Sequence, residues 1–357
     1  MKMISKYLLL AIVLIWCAED SVQKKPSCKR GRFSCIDGYD VDVCGHVPKF
    51  KHDTTHLGNA FCPHYKGRRS GYSDRTPRAS AGFTPSLGEF PSYVQLDTSR
   101  QNPRGKLEAS MRCGGVLVHP NLVLTAAHCA LASPIKKELI VMEARAGFVD
   151  LNRAKRVQNR TVVGICPDKL YKKYEGQNPV NDIALLKTNK PFEYNDVVQP
   201  ACLIHERPHL NESVCFQVGT GLKEGGTVNS LVRAMGMKRS FCSSPTGFCN
   251  ACPWASNQSP DKQCYISADK SLYPGSPCVG DSGSPLLCID RCRSHIPQRQ
   301  YACAIHSFGH QNDHCQRGQI FASGFMDLFK LKDRIKMLIE RCYMKDSWTS
   351  FGLPQKG

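Results

Sequence analysis

The chain has no apolar run long enough to span a bilayer. The run from Tyr7 to Ala18 is 12 residues, against roughly 20 for a membrane helix, and no later segment is apolar enough. Preceded by Lys2 and Lys6, it reads as a signal peptide over 1–18, so we expect a secreted, extracellular protein with no stable membrane insertion. Acidic residues are also few: 30 Asp and Glu against 48 Lys and Arg, a net charge of +18. The basic pairs (Lys24-Lys25, Arg68-Arg69, Lys136-Lys137, Lys172-Lys173, Lys238-Arg239) are not interleaved with aromatics, and no nucleic-acid motif occurs. We therefore read a solvated basic surface without a nucleic-acid partner. Weak attraction to polyanions is the other reading. There is no internal repeat. His46, His52, His56 and His64 match no familiar metal-site spacing, so neither metal nor cofactor is expected.

Cysteine, by contrast, is abundant, with 20 in 357 residues. That usage points to disulfides and an oxidising compartment. Loss of Cys17 with the signal peptide leaves an odd number, hence one free thiol or an intermolecular bridge. Three N-glycosylation sequons, at Asn159, Asn211 and Asn257, fit the secretory route. Residues 19–78 are poor in apolar runs and contain Cys28, Cys35, Cys44 and Cys62. So small a segment has little core and reads as a unit held by disulfides. Beyond it come short β-like runs punctuated by Gly, Pro and Asn: Val116–Val118, Val162–Ile165, Ile183–Leu186, Pro285–Ile289 and Ala302–Ser307. These argue an all-β barrel or sandwich. Leu328, Leu331, Ile335, Leu338 and Cys342 recur at helical spacing from Asp327 onward.

Three strings carry chemistry, in this order: Leu124-Thr125-Ala126-Ala127-His128-Cys129, Asn181-Asp182-Ile183-Ala184-Leu185-Leu186 and Gly280-Asp281-Ser282-Gly283-Ser284-Pro285. A serine hydroxyl is a poor nucleophile until an imidazole takes its proton and a carboxylate orients that imidazole. The order His, Asp, Ser separates this set from unrelated folds with the same triad. From about residue 79 to the C-terminus the chain resembles the chymotrypsin/trypsin family of secreted serine protease zymogens. In that family's terms residues 19–78 are a disulfide-bonded pro-segment, only loosely similar in placement to clip-type modules, which carry six cysteines. The resemblance implies two packed antiparallel β-barrels closed by a C-terminal α-helix, in a protease domain over 79–357. It implies His128 as general base and acid, Asp182 as its orienting carboxylate and Ser282 as nucleophile. The Gly280 and Ser282 N–H groups would form the oxyanion hole.

The resemblance also places activation at Arg78. A trypsin-like protease would cut there, or less favourably at Arg75, and the freed Ala79 ammonium would pair with Asp281. The family carries Ile or Val where this chain has Ala79, and Gly where it has Ser284, whose Cβ could crowd the barrel interior. Ser276, six residues before the nucleophile, takes the place of a charged pocket floor. With Ser307 and Gly309 it implies a pocket for apolar rather than Arg or Lys side chains. A second wall residue falls at Gly318 or Gln319. Implied disulfides are Cys113–Cys129, Cys215–Cys288 and Cys278–Cys315, with Cys264 joined to Cys242, Cys249 or Cys252. Cys202 would tether the pro-segment after activation. Cys292–Cys303 and Cys166–Cys342 are further expected pairs. Expected partners are protein substrates, the activating protease and serine protease inhibitors. The function expected is a secreted serine endopeptidase acting through an acyl-enzyme. The alternatives are a weakly active or inactive protease-fold binding or cofactor protein, and a growth-factor-like ligand released by cleavage.

Overall fold

Short buried strands, rather than helices, carry the core. Val116, Leu117, Val123, Leu124, Leu185 and Leu186 are all fully buried, and β-branched and leucine side chains suit a pleated surface enclosed on one face. The structure is a computed structural model that describes residues 82–101, 107–131, 140–172, 179–203, 213–222, 229–240, 262–267, 277–290, 300–309, 323–344 and 346–350. The signal peptide, the pro-segment, Arg78, Ala79, Asn211, Asn257, Ser276, Cys315, Gly318 and Gln319 lie outside the described residues.

Two closed six-stranded antiparallel barrels make up the fold. The first comprises β1 (Tyr93–Gln101), β2 (Leu107–His119), β3 (Leu122–Thr125), β4 (Ile140–Ala146), β5 (Gln158–Pro167) and β6 (Ala184–Thr188). Its order is β4-β1-β2-β3-β6-β5, and pairing of β4 with β5 closes it. Pro120-Asn121 makes the tight turn between β2 and β3, the residue types that such a turn favours. After β7 (Cys202–Leu203), the second barrel comprises β8 (Ser213–Gly219), β9 (Arg233–Ser240), β10 (Lys262–Ser267), β11 (Pro285–Asp290), β12 (Gln300–Phe308) and β13 (Ser323–Asp327). Its order is β11-β8-β9-β10-β13-β12, closed by β11 against β12. Closure leaves neither sheet with an open edge to template aggregation. Met235, Leu286 and Phe325 fill the second barrel. Phe216, on the other face of β8, packs with the first cluster and meets Phe83 and Phe90 edge-on at 5.8 and 5.7 Å.

The chain ends in α2 (Lys332–Leu338), a π-helical turn over Ile339–Met344 and β14 (Thr349–Ser350), which joins β5. A four-residue helix, α1 (Ala127–Ala130), follows β3. Leu328, Leu331, Ile335, Leu338 and Cys342 are all buried. The helix nevertheless starts at Lys332 and not at Asp327. The Asp327 carboxylate accepts bonds from the Phe329 and Lys330 N–H groups at 3.0 and 3.2 Å, a local alternative that competes with helix formation. The disulfides Cys113–Cys129, Cys166–Cys342 and Cys215–Cys288 are present, and Cys202 and Cys278 are also disulfide-bonded. The expected Cys292–Cys303 staple is not formed: Cys303 is a free thiol. It lies inside β12, turned into the barrel, and its sulfur sits within 4.8 Å of those of Cys215 and Cys288. Burial, with the nearby Asp327 charge, pushes its thiol well above the ordinary range. Cys303 should therefore resist iodoacetamide in the native protein and react only in denaturant. Mass spectrometry of its peptide measures this, and ready native labelling would contradict it.

Candidate active site

His128 is carried by α1, directly after Thr125-Ala126 at the end of β3. Asp182 precedes β6, the strand paired with β3 (Thr125 faces Ala184). Adjacent strands thus deliver the imidazole and the carboxylate to one end of the barrel. Asn181 completes the approach with φ +49°, a left-handed conformation that Asn tolerates better than most residues. Its Nδ2 donates to the Leu170 carbonyl at 3.2 Å, and the bend points the next side chain inward. Asp182 is fully buried. Its Oδ1 accepts the His128 backbone N–H at 2.9 Å and its Oδ2 accepts from His128 Nδ1 at 2.7 Å. Oδ2 also accepts the Ser307 hydroxyl.

Burial alone would raise the Asp182 carboxyl. The bonds and charge from His128, with the Ser307 bond, hold it below the usual range. An ionised carboxylate can only accept, so Nδ1 carries a proton and neutral His128 presents Nε2 as a base.

The serine turn is built from the second barrel and stitched to the first. Gly280 and Gly283 have φ of +94° and +75°, conformations that other residues rarely adopt. Asp281 N–H donates to Cys278 O, and Gly283 N–H to His306 O, at 2.9 and 2.8 Å. Gly114 N–H, in β2, donates to Ser282 O at 2.7 Å, while Thr125 Oγ1 bonds Gly114 O at 2.7 Å. With the Cys113–Cys129 bridge, these contacts hold the Ser282 turn against the segment that leads into His128. Ser282 Oγ and the N–H groups of Gly280 and Ser282 have no hydrogen-bond partner among the described residues. A hydroxyl and two amides are thus left for other chemistry.

A Cβ on Gly283 would fall 2.2 Å from Thr125 Oγ1 and 2.5 Å from Gly114 O. Gly283→Ala should therefore destabilise the protein by about 2 kcal/mol or more. The urea midpoint measures this, and an unchanged midpoint would show that the turn is not held as described.

Ser284 does not crowd the barrel. Its hydroxyl occupies space left by two glycines, since a Cβ on Gly114 or Gly219 would lie 2.1 or 3.1 Å from Ser284 Oγ. Asp281 is buried, with Oδ1 accepting Gly221 N–H at 2.8 Å and Oδ2 accepting Cys278 N–H at 2.9 Å. It has no cation partner among the described residues, and burial raises its carboxyl to about 6 against those two bonds. Asn159 is exposed on β5, and Gly309 directly follows β12. The sequence reading missed two polar residues near Gly309, His306 and Ser323. The signal for His306 was an imidazole inside the otherwise apolar run Ala302–Ser307.

Two closed barrels holding a carboxylate-bound imidazole against a glycine-flanked serine turn define the serine-protease class of fold. The trypsin family profile matches residues 80–333, and the chain belongs to that family. It is 27% identical over 223 residues to trypsin, alkaline C, of Manduca sexta, covering 58% of this chain and 76% of that one. Trypsin, alkaline A, of the same species is 26% identical over the same span. Ovochymase of Halocynthia roretzi is 26% identical over 191 residues, which cover 49% of this chain and 10% of that one.

Proposed function

We propose that the protein is a secreted serine endopeptidase made as a zymogen, with Ser282 as nucleophile, His128 as general base and acid, and Asp182 as its orienting carboxylate. The observation that carries this reading is the 2.7 Å bond from His128 Nδ1 to buried Asp182, beside a turn that holds Ser282. Nε2 takes the Ser282 proton as Oγ attacks the scissile carbonyl, and the Gly280 and Ser282 N–H groups receive the oxyanion. His128 then protonates the leaving amine, giving an acyl-enzyme that water hydrolyses by the same steps.

Activation by a trypsin-like protease that cuts after Arg78 has physical support at both ends. Phe83 is pinned to β9 by paired bonds with Ala234 at 2.9 and 3.0 Å. Ala234 faces Val218 across β8 and β9, next to Gly219, whose Cβ position lies 2.0 Å from Asp281 Oδ1. The four peptide steps from Ala79 to Phe83 can span about 13 Å, enough to bring a new ammonium to that buried carboxylate. The ion pair would order the oxyanion hole and recover the cost of the buried charge. The disulfide at Cys202 favours retention of the pro-segment after cleavage. The neutral floor expected at Ser276, with Ser307 and Gly309, favours non-basic side chains in substrates. Serine protease inhibitors would be the natural regulators.

Tryptic treatment followed by N-terminal sequencing and a peptide-cleavage assay tests the reading. We expect the new terminus Ala-Ser-Ala-Gly, peptidase activity only after the cut, and none in Ser282→Ala. Correctly cut protein with no activity would instead support the binding or cofactor reading.

A further inference from the structure

Beside the serine turn the second barrel buries polar groups. His306, 4% exposed, has neither ring nitrogen in a hydrogen bond of good geometry, although the Asp281 backbone acts on the ring, and Ser323, fully buried, has an unpartnered Oγ. These atoms face one place. From the position that a Cβ on Gly309 would take, Ser323 Oγ is 3.9 Å away and His306 Nε2 is 4.0 Å away, and no other described atom lies within 4 Å. The imidazole is fixed on its other side by Phe325, edge-on at 5.1 Å. Its backbone is fixed too, because His306 O accepts Gly283 N–H and His306 N–H donates to Ser284 O, at 2.8 and 2.9 Å. The residue that holds the serine turn therefore also lines the space beside it.

With its proton on Nε2, the buried imidazole joins the Ser323 hydroxyl as a second donor near one point beside the serine turn, and the pair suits an acceptor. Burial first and the His128 charge second push the pKa of this ring down to about 4, against the Asp281 backbone hydrogen bond and the Asp182 charge. At neutral pH it is uncharged and offers one N–H and one acceptor nitrogen. Resting on the protease reading above, we propose that His306, with Ser323, determines specificity by hydrogen-bonding a carboxylate at the end of the substrate side chain on the acyl side of the cut, so that the enzyme cleaves after Glu. An apolar side chain would leave the imidazole and hydroxyl unpaired in a dry site. A site built to hydrogen-bond discriminates strongly against partners that cannot reciprocate. A Lys side chain brings a third set of donors and no acceptor. The uncharged residue expected at the pocket floor, Ser276, is compatible with this choice, and the net charge of +18 draws acidic segments toward the protein. It differs from the apolar preference that Ser276, Ser307 and Gly309 imply, and peptides ending in Glu or Leu separate the two.

The test uses full-length protein activated by cleavage, with active sites counted by a fluorophosphonate, and peptides that differ only in Glu, Gln, Leu, Phe or Lys at the cleaved position. We expect kcat/KM for Glu to exceed that for Leu by roughly 10–100-fold, the scale of one charge-assisted hydrogen bond. His306→Val should reverse that ratio, and Ser323→Ala should reduce it. The ratio does not depend on the folded fraction of a variant. Absence of fluorophosphonate labelling in activated wild type would sink the protease reading itself. Labelled protein that cleaves after Leu or Phe as well as after Glu, that accepts Gln equally, or whose selectivity survives His306→Val would overturn this proposal alone.

Discussion

Asp182→Asn should lower kcat by about 10⁴-fold without unfolding the barrel. The reason lies in the count of donors around the carboxylate. Its two oxygens receive three: the His128 backbone N–H, His128 Nδ1–H and the Ser307 hydroxyl. An asparagine has one oxygen. If that oxygen keeps the backbone N–H of α1, the amide NH₂ faces Nδ1, and Nδ1 must then accept. The imidazole proton moves to Nε2, which can no longer take a proton from Ser282. The opposite amide orientation would keep the proton on Nδ1 but set the amide NH₂ against the His128 backbone N–H, donor against donor, so the first orientation is favoured. The base is then lost while the volume is conserved. Steady-state kinetics on activated, sequence-verified protein measures the effect. A decrease of less than tenfold would mean that Asp182 does not set the tautomer.

The second large effect concerns Asp281. In the uncleaved chain its carboxyl stands at about 6, raised from 3.8 by burial. Between those two pH values the unfolded chain gives up this proton while the folded chain keeps it. Stability of the uncleaved protein should therefore fall as pH climbs from about 4 to about 6, by on the order of 3 kcal/mol. Asp281→Asn removes the ionisation, so urea midpoints of the uncleaved variant should show that much less decline between pH 4 and 7. In cleaved wild type the Ala79 ammonium should offset the same charge and restore the midpoint at pH 7. Cleaved Asp281→Asn, lacking the anchor, should lose most of its activity. Identical pH profiles for uncleaved wild type and Asp281→Asn would contradict the account of this carboxylate.

Much of this was legible in the chain because its strongest signals are local. Glycines beside Ser282, Asn before Asp182 and small residues before His128 each meet a backbone requirement visible in the fold. The apolar runs at Val116–Val118 and Pro285–Ile289 lie within strands because an enclosed barrel wall demands continuous burial. Strand β10, Lys-Gln-Cys-Tyr-Ile-Ser, was not legible, since its assignment comes from pairing with β9 and β13 and not from its own pattern. The helix start was misread because spacing does not reveal that the Asp327 side chain competes for the first amides. The neighbour of Gly309 in β13 was not legible for a related reason. The register of β12 against β13, with His306 opposite Phe325, brings Ser323 near Gly309, while Gly318 and Gln319, reached by counting along the sequence, lie outside the described residues. Register is a property of two strands together, and counting along one of them cannot supply it.

The central claim is that His128 activates Ser282 once the chain is cut after Arg78. It is tested most directly by a fluorophosphonate applied before and after tryptic cleavage, with the adduct located by peptide mass spectrometry. The account predicts an adduct on Ser282 alone, strong in cleaved protein, weak in uncleaved protein and absent in His128→Ala. Correctly cleaved protein that carries no adduct at Ser282, or one that persists undiminished without His128, would contradict it.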